Sequence, residues 1–262
     1  MLRKLLEHFF YFQLIIIIGG DNIVKNYGFQ NEWDFFNYFN GKKVGEVNSV
    51  FKEFLQANFP NINDDMRISA YVNLNKEKED IWIKVGKTKK SISIKMGKAN
   101  TVHNEYIYSF TNYLAKEKVP LKIINIILEY FFADGTHNGS GARKLTFPDY
   151  KLKIKRKIKK ANKYFMKHED LLIKLINRFV IGKTDILIHG TVDDFSYVTK
   201  DEIIKFLLEV KNEPSSTIHF SHLIFAAKSR NNQIDKFILQ IKWYNLGDEV
   251  ALVRNKTKKT CV

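Results

Sequence analysis

Residues Asp80–Lys95 read DIWIKVGKTKKSISIK. Ile81, Ile83 and Val85 alternate with Asp80, Trp82 and Lys84, and Ile92, Ile94 and Met96 alternate with Ser91, Ser93 and Lys95. Period two is the strand signature, because successive side chains leave a strand on opposite faces. Two such runs around a short Gly- and Lys-rich turn make an antiparallel hairpin. With the turn within Lys87–Lys90, Ile81 is expected opposite Met96 and Ile83 opposite Ile94. The apolar residues then share one face, and Asp80, Ser93 and Lys95 share the other, with Asp80 diagonally across from Lys95.

Working outward, Ile68–Leu74 is a third β-like run. Upstream, residues 31–58 are aromatic and helical, with Val47, Val50, Phe51, Phe54 and Leu55 spaced as one buried face and Pro60, Asn61 and Asn63 ending it. Downstream, helices are expected over His103–Lys118 and Leu121–Phe132, followed by a Gly-, Asn- and Ser-rich loop, Asp134–Gly141, that reads as mobile or ordered by a ligand. Thr146, Pro148 and Asp149 look like a helix start, and Ile154, Ile158 and Phe165 mark that helix's apolar stripe. Strands are expected over 185–189, 195–198, 217–225 and 237–243, with a helix over Lys200–Val210. The expectation is one domain over 1–262, of α/β (mixed α+β) class, with a mixed β-sheet core flanked by helices.

Lys plus Arg number 43 and Asp plus Glu 28, a surplus of 15 that favours a polyanionic partner. Eleven of those cations lie between Arg143 and Lys167, against Asp149 alone. A basic helical region at about 143–178 is therefore the expected DNA-binding surface, with Lys151, Lys155, Arg156 and Lys159 on phosphates. The plainer reading is a solvated lysine face. The single cysteine, Cys261, rules out an internal disulfide framework and a cysteine zinc site, and fits a reducing, cytoplasmic setting. The apolar run from Phe9 to Ile18 is too short to span a bilayer, so no membrane partner is expected.

Phosphodiester hydrolysis needs a carboxylate to hold a divalent cation, a second oxygen ligand and a cation beside the attacking water. Asp80 and Lys95 supply two of these. At this point the hairpin resembles the Pro-Asp…(Asp/Glu)-x-Lys nuclease superfamily, in which the Asp opens one strand and the x-Lys lies on the next. The resemblance covers roughly residues 46 to 118 and implies a restriction-endonuclease-like fold, Mg²⁺ and double-stranded DNA. Glu79 stands where that family has proline, and Ser93 where it has the second acid. Some restriction enzymes of Ser-x-Lys type recover the lost acid from a following helix, which points to Glu105. The stretch from Ile92 to Glu105 is similar to an Ile-Ser-Ile-Lys-x-Gly…Asn-x-Val-His-x-Glu segment of restriction-type nucleases. By the same resemblance an upstream helical acid, Glu46 or Glu53, completes the metal site. Lys87, Lys89 and Lys90 in the hairpin turn, with Asn100 and His103, are the further donors expected near the scissile phosphate. The expected protein is a restriction endonuclease for host defence, a homodimer because two symmetric sites cut two strands. The rival is a DNA-binding protein that keeps a nuclease-like fold without catalysis.

Other constellations are weaker. Pro148-Asp149 copies the family dipeptide but runs into a lysine helix. Gln240-Ile241-Lys242 would be a second x-Lys site if Asp185 or Asp194 joined it. His219 and His222, three apart on one expected strand, face opposite sides and do not share an ion. His137-Asn138 lacks a partner histidine, and there is no phosphate-binding Gly-x-x-x-x-Gly-Lys-Ser/Thr loop. The bland alternative for the hairpin itself is a solvent-facing sheet surface that happens to carry Asp, Trp, Ser and Lys.

Overall fold

The computed structural model describes residues 27–74, 78–97, 101–209, 216–228 and 235–260, with side chains of the last segment to 254. Phe9–Ile18, Asn100 and Cys261 lie outside the described residues. The chain is mixed α+β, with two sheets flanked by helices. It opens with α1 (Tyr27–Phe39), a 3-10 turn (Val44–Glu46) and α2 (Ser49–Asn58), then β1 (Ile68–Val72), β2 (Ile81–Val85) and β3 (Thr88–Lys95). These strands join β5 (Ile186–Gly190) and β6 (Phe195–Thr199) in one five-stranded sheet, ordered β1-β2-β3-β5-β6. Its pairs are antiparallel except β3 with β5, which run parallel. A parallel pair needs a long crossover. Here the whole segment from residue 96 to 185 supplies it.

That crossover starts with β4 (Thr101–Tyr106), α3 (Ile107–Lys116) and α4 (Leu121–Phe132). It continues through α5 (Phe147–Lys153), α6 (Lys155–Met166), α7 (Glu169–Ile176) and one π-helical turn (Asn177–Ile181). After β6 come α8 (Lys200–Glu209), β7 (His219–Phe220), β8 (Leu223–Ala227), β9 (Ile238–Lys242) and α9 (Leu246–Thr260). β4 closes a second, antiparallel sheet in the order β4-β9-β8-β7. The five-stranded sheet is thus covered along one face and, at its β5–β6 end, on the other. Ile81, Ile83, Ile92, Ile94, Ile186 and Ile188 pack on Phe35, Phe39, Phe51 and Phe54 of α1 and α2. Leu187 and Val198, on the other face, join the larger core formed by the crossover helices and the second sheet. Among the described residues no helix is long and apolar enough to cross a membrane.

Several expectations are corrected. The hairpin turn is Gly86-Lys87, with Gly86 at φ +58, the left-handed corner that a type II′ turn requires first. Ile81 therefore faces Ile92 instead of Met96. The slip of four is even, so every side chain keeps its face. Thr101–Tyr106, expected as the approach to and first turn of a helix, is strand β4, and the helix starts only at Ile107. The helix from Thr146 breaks at Ile154 into α5 and α6, although Ile154, Ile158 and Phe165 are all buried as its stripe requires. Ser221, at φ +59, turns the expected strand 217–225 into two. Val50 is 56% exposed, whereas Val47, Phe51, Phe54 and Leu55 are buried. α9 was not expected at all. The Asp134–Gly141 loop is held by its own aspartate, which accepts from Thr136 N–H and Oγ1 and from Gly141 N–H.

Candidate active site

Asp80 precedes β2, where its N–H donates to Ile92 O at 2.9 Å and aligns it with Ser93 across the ladder. Its Oδ2 accepts from Ser93 Oγ (3.1 Å), Ile94 N–H (2.5 Å) and Lys95 Nζ (3.2 Å). The hairpin thus brings Asp80, Ser93 and Lys95 together as its alternation implied. Ser93 is 2% exposed, whereas the side chains of Asp80 and Lys95 remain 15% and 32% exposed. This face is no bare solvent surface. Lys78, Val102, Val180 and Leu187 complete a cleft of about 120 Å³ around the three residues.

The acid whose charge couples to Asp80 is Glu32 of α1, beyond the residues that line the cleft, and sequence reasoning missed it. Asn31 Nδ2 donates to Gly190 O (2.9 Å) and so pins this end of α1 over the end of β5. Gly190 itself sits at φ +128, where a Cβ would lie 2.2 Å from the Asp194 carbonyl oxygen. Burial, and then the negative charge of Asp80, push the Glu32 carboxyl up to about 7, against the opposing pull of Lys95. One signal was available: Glu32, Phe35, Phe36 and Phe39 have the i, i+3, i+4, i+7 spacing of an apolar stripe, so the acid sits on the packed face.

Lys78 is the second residue missed. Its Nζ donates to Val102 O (2.9 Å) on β4 and to Phe179 O (2.5 Å) in the π-helical turn. Burial, and then Lys95, lower it to about 8. His189 is paired with Lys95 across the parallel β3–β5 ladder and contacts Gly97 O through Nε2 at 3.2 Å.

Glu105, expected to approach Asp80, is engaged elsewhere. Arg178 grips it with two bonds, Nε to Oε1 at 3.0 Å and Nη2 to Oε2 at 2.5 Å. His103 Nε2 stands 3.0 Å from the same Oε1. Burial pushes Glu105 up, but these hydrogen bonds and charges outweigh it and hold the carboxyl below its ordinary value. His103, expected to meet DNA, is spent on Glu105 and on the Phe179 ring, 5.4 Å away. Glu46 is exposed and accepts from Lys43 N–H (2.7 Å), capping its own 3-10 turn. Glu53 binds Arg254 at 3.3 Å. Lys90 pairs with Ile83 and so lies on the Ile side of the hairpin, whereas Lys87 is exposed in the turn.

The rival x-Lys site does not assemble with Asp185, whose carboxylate accepts from Ser91 N–H (2.8 Å) and Oγ (2.9 Å) within the first sheet, while Lys242 belongs to the second. In the basic region Lys155, Arg156 and Lys159 are exposed on α6, and Lys151 is half-buried over the Phe147 ring at 5.2 Å.

Among the described residues no three His, Cys, Asp or Glu converge as a metal cage. Magnesium does not demand one; it is held by one or two carboxylates with waters and substrate oxygens. Asp80 and Glu32 fit that donor set by their chemistry, and the Asp80 charge, which adds to burial in raising Glu32, is what a divalent cation beside the two carboxylates would offset. No family model matches the chain, and comparison with curated proteins gives no match, so the site stands on its own geometry.

Proposed function

We propose that this chain is a Mg²⁺-dependent endonuclease that hydrolyses phosphodiester bonds in DNA, resembling the restriction enzymes of the Pro-Asp…(Asp/Glu)-x-Lys type. The observation that carries the reading is Asp80 bound to Ser93, Ile94 and Lys95 in one cleft, with Glu32 near enough for the Asp80 charge to raise its carboxyl. Glu32 takes the role that the resemblance gave to Glu105 and Glu46. Magnesium, when bound, supplies the Lewis acidity that polarises the phosphate and activates a water. Asp80 and Glu32 would hold it. Ser93 and the Ile94 amide fix the Asp80 carboxylate in one orientation through its Oδ2. Lys95, partly exposed and tethered to Asp80 at 3.2 Å, offers its ammonium to the charge that develops on the phosphate oxygens. The exposed cations of α6 supply sequence-independent attraction to the DNA backbone.

A homodimer acting on both strands of invading DNA in the cytoplasm follows from this reading. The test is nicking and linearisation of supercoiled plasmid by purified protein in Mg²⁺ and in EDTA. Cleavage in Mg²⁺ alone is expected. DNA retention on gels without cleavage in Mg²⁺ or Mn²⁺ would favour the non-catalytic DNA-binding reading.

A further inference from the structure

The sheet face that carries Asp80 does not stop at the cleft. Along β2 the same side carries Trp82 and Lys84, and across the ladders it carries Tyr71 of β1 and Lys89 of β3. Tyr71 is directly paired with Trp82, and Lys84 with Lys89. Tyr71 is 46% exposed, Trp82 is half-buried, and Lys84, Lys87 and Lys89 are exposed. The Lys89 ammonium stands 4.6 Å from the Trp82 ring centre and 5.8 Å from that of Tyr71. Two aromatic rings lie side by side on an open sheet surface, with a cation held above them. Trp82 is two residues from Asp80, about 7 Å along the strand.

A row of apolar rings on a solvent-facing strand is costly to leave uncovered, and the charge around it selects the cover. Three lysines would repel a basic partner and attract a polyanion. A nucleic-acid strand matches both parts, because its bases stack on aromatic faces and its phosphates pair with ammonium groups. A closed duplex matches only the second part, since its base faces are hidden in the stack.

We propose that Tyr71, Trp82 and Lys89 form a nucleotide-strand subsite continuous with the Asp80–Lys95 cleft, which takes an unpaired stretch of DNA flanking the scissile phosphate. The proposal deepens the endonuclease reading and rests on it for the scissile position. Lys89 swings from the rings to a phosphate, and a base takes its place over Trp82. The favoured substrate is DNA with an overhang, gap or frayed end.

The experiment is a tryptophan-fluorescence titration in EDTA, where no hydrolysis occurs, with a thymidine oligonucleotide and with a blunt duplex of equal length. The wild-type protein is expected to be quenched by the single strand, and the quenching to be largely lost in Trp82→Phe. Tyr71→Ala and Lys89→Ala are each expected to weaken single-strand binding about tenfold, with unchanged thermal melts, since both side chains are exposed. Absence of quenching, equal affinity for the blunt duplex, or wild-type affinity in both variants would overturn the subsite. The same variants are then assayed for Mg²⁺-dependent cleavage. Quenching without cleavage would sink the hydrolytic reading alone, and cleavage indifferent to Tyr71 and Lys89 would sink the subsite alone.

Discussion

Two clusters of opposite charge lie on either side of Lys78, and they are built from the same kinds of residue with opposite outcomes. At Glu105, Arg178 supplies a bidentate pair and His103 a third bond, so the carboxylate is held below its ordinary value. At Asp80, the neighbouring Glu32 is pushed up to about 7 and Lys78 down to about 8. The first cluster is saturated and ties β4 to the π-helical turn. The second holds Glu32 and Lys78 away from their ordinary values beside an open cleft, an arrangement that costs stability and makes sense where a ligand will complete it. The contrast also explains why the more obviously paired acid is the less suitable metal ligand: drawing Glu105 to a cation would strand Arg178.

The largest expected effect lies in the open cluster. Lys95→Ala should lower the plasmid-nicking rate by about 10²–10³-fold, the scale for loss of one charge-stabilising group, while gel-shift affinity for DNA holds. Retained nicking would move the chemistry away from this cleft. Next comes the closed cluster, where Arg178→Ala leaves Glu105 buried without its main partner. Breaking such a pair should cost about 2–3 kcal/mol in urea unfolding at pH 7, below the fully buried range because Arg178 is 31% exposed. Because the folded-state value of Glu105 is depressed, that stabilisation is present above 4.5 and is lost as pH falls through the folded value. The gap between wild type and variant should therefore narrow below pH 4.5, and a gap independent of pH would contradict the assignment.

The smallest expected effect has the opposite sign. Glu32 binds its proton more tightly folded than unfolded, so wild-type stability should fall as pH rises from 4.5 to about 7. Glu32→Gln removes that penalty. At pH 8 the variant should be more stable by about 1 kcal/mol after discounting for solvent screening, and should still lose cleavage. A variant less stable than wild type at pH 8 would show that Glu32 is satisfied in the fold, like Glu105.

The hairpin and the meeting of Asp80, Ser93 and Lys95 were legible because a period-two pattern survives any even error in register. The register itself was missed by four residues, since the turn depends on one glycine's φ and the neighbouring lysines offered a longer loop that looked equally polar. Glu105 was misplaced for a different reason. Its strand, Thr101–Tyr106, is an intermediate-to-exposed run whose only strand-making context is β9, more than 130 residues later in the chain. Glu32 depends on the Asn31–Gly190 bond between segments equally remote, although its place on the Phe35–Phe39 stripe was readable. The platform of Tyr71, Trp82 and Lys89 needed the register of three strands, so the hairpin lysines were read together as turn donors, without separating Lys89, which shares the face of Asp80, from Lys90, which does not.

The claim that the open cluster, and not the closed one, holds the metal is tested most directly by titrating Mn²⁺, as a spectroscopic stand-in for Mg²⁺, into wild type, Glu32→Gln and Glu105→Gln. Bound ion would be read by electron paramagnetic resonance, and folding checked by circular dichroism. The wild type and Glu105→Gln should bind Mn²⁺ alike, while Glu32→Gln binds at least about tenfold more weakly, the scale of losing one of two charged ligands. Full binding by Glu32→Gln together with loss in a folded Glu105→Gln would contradict the account.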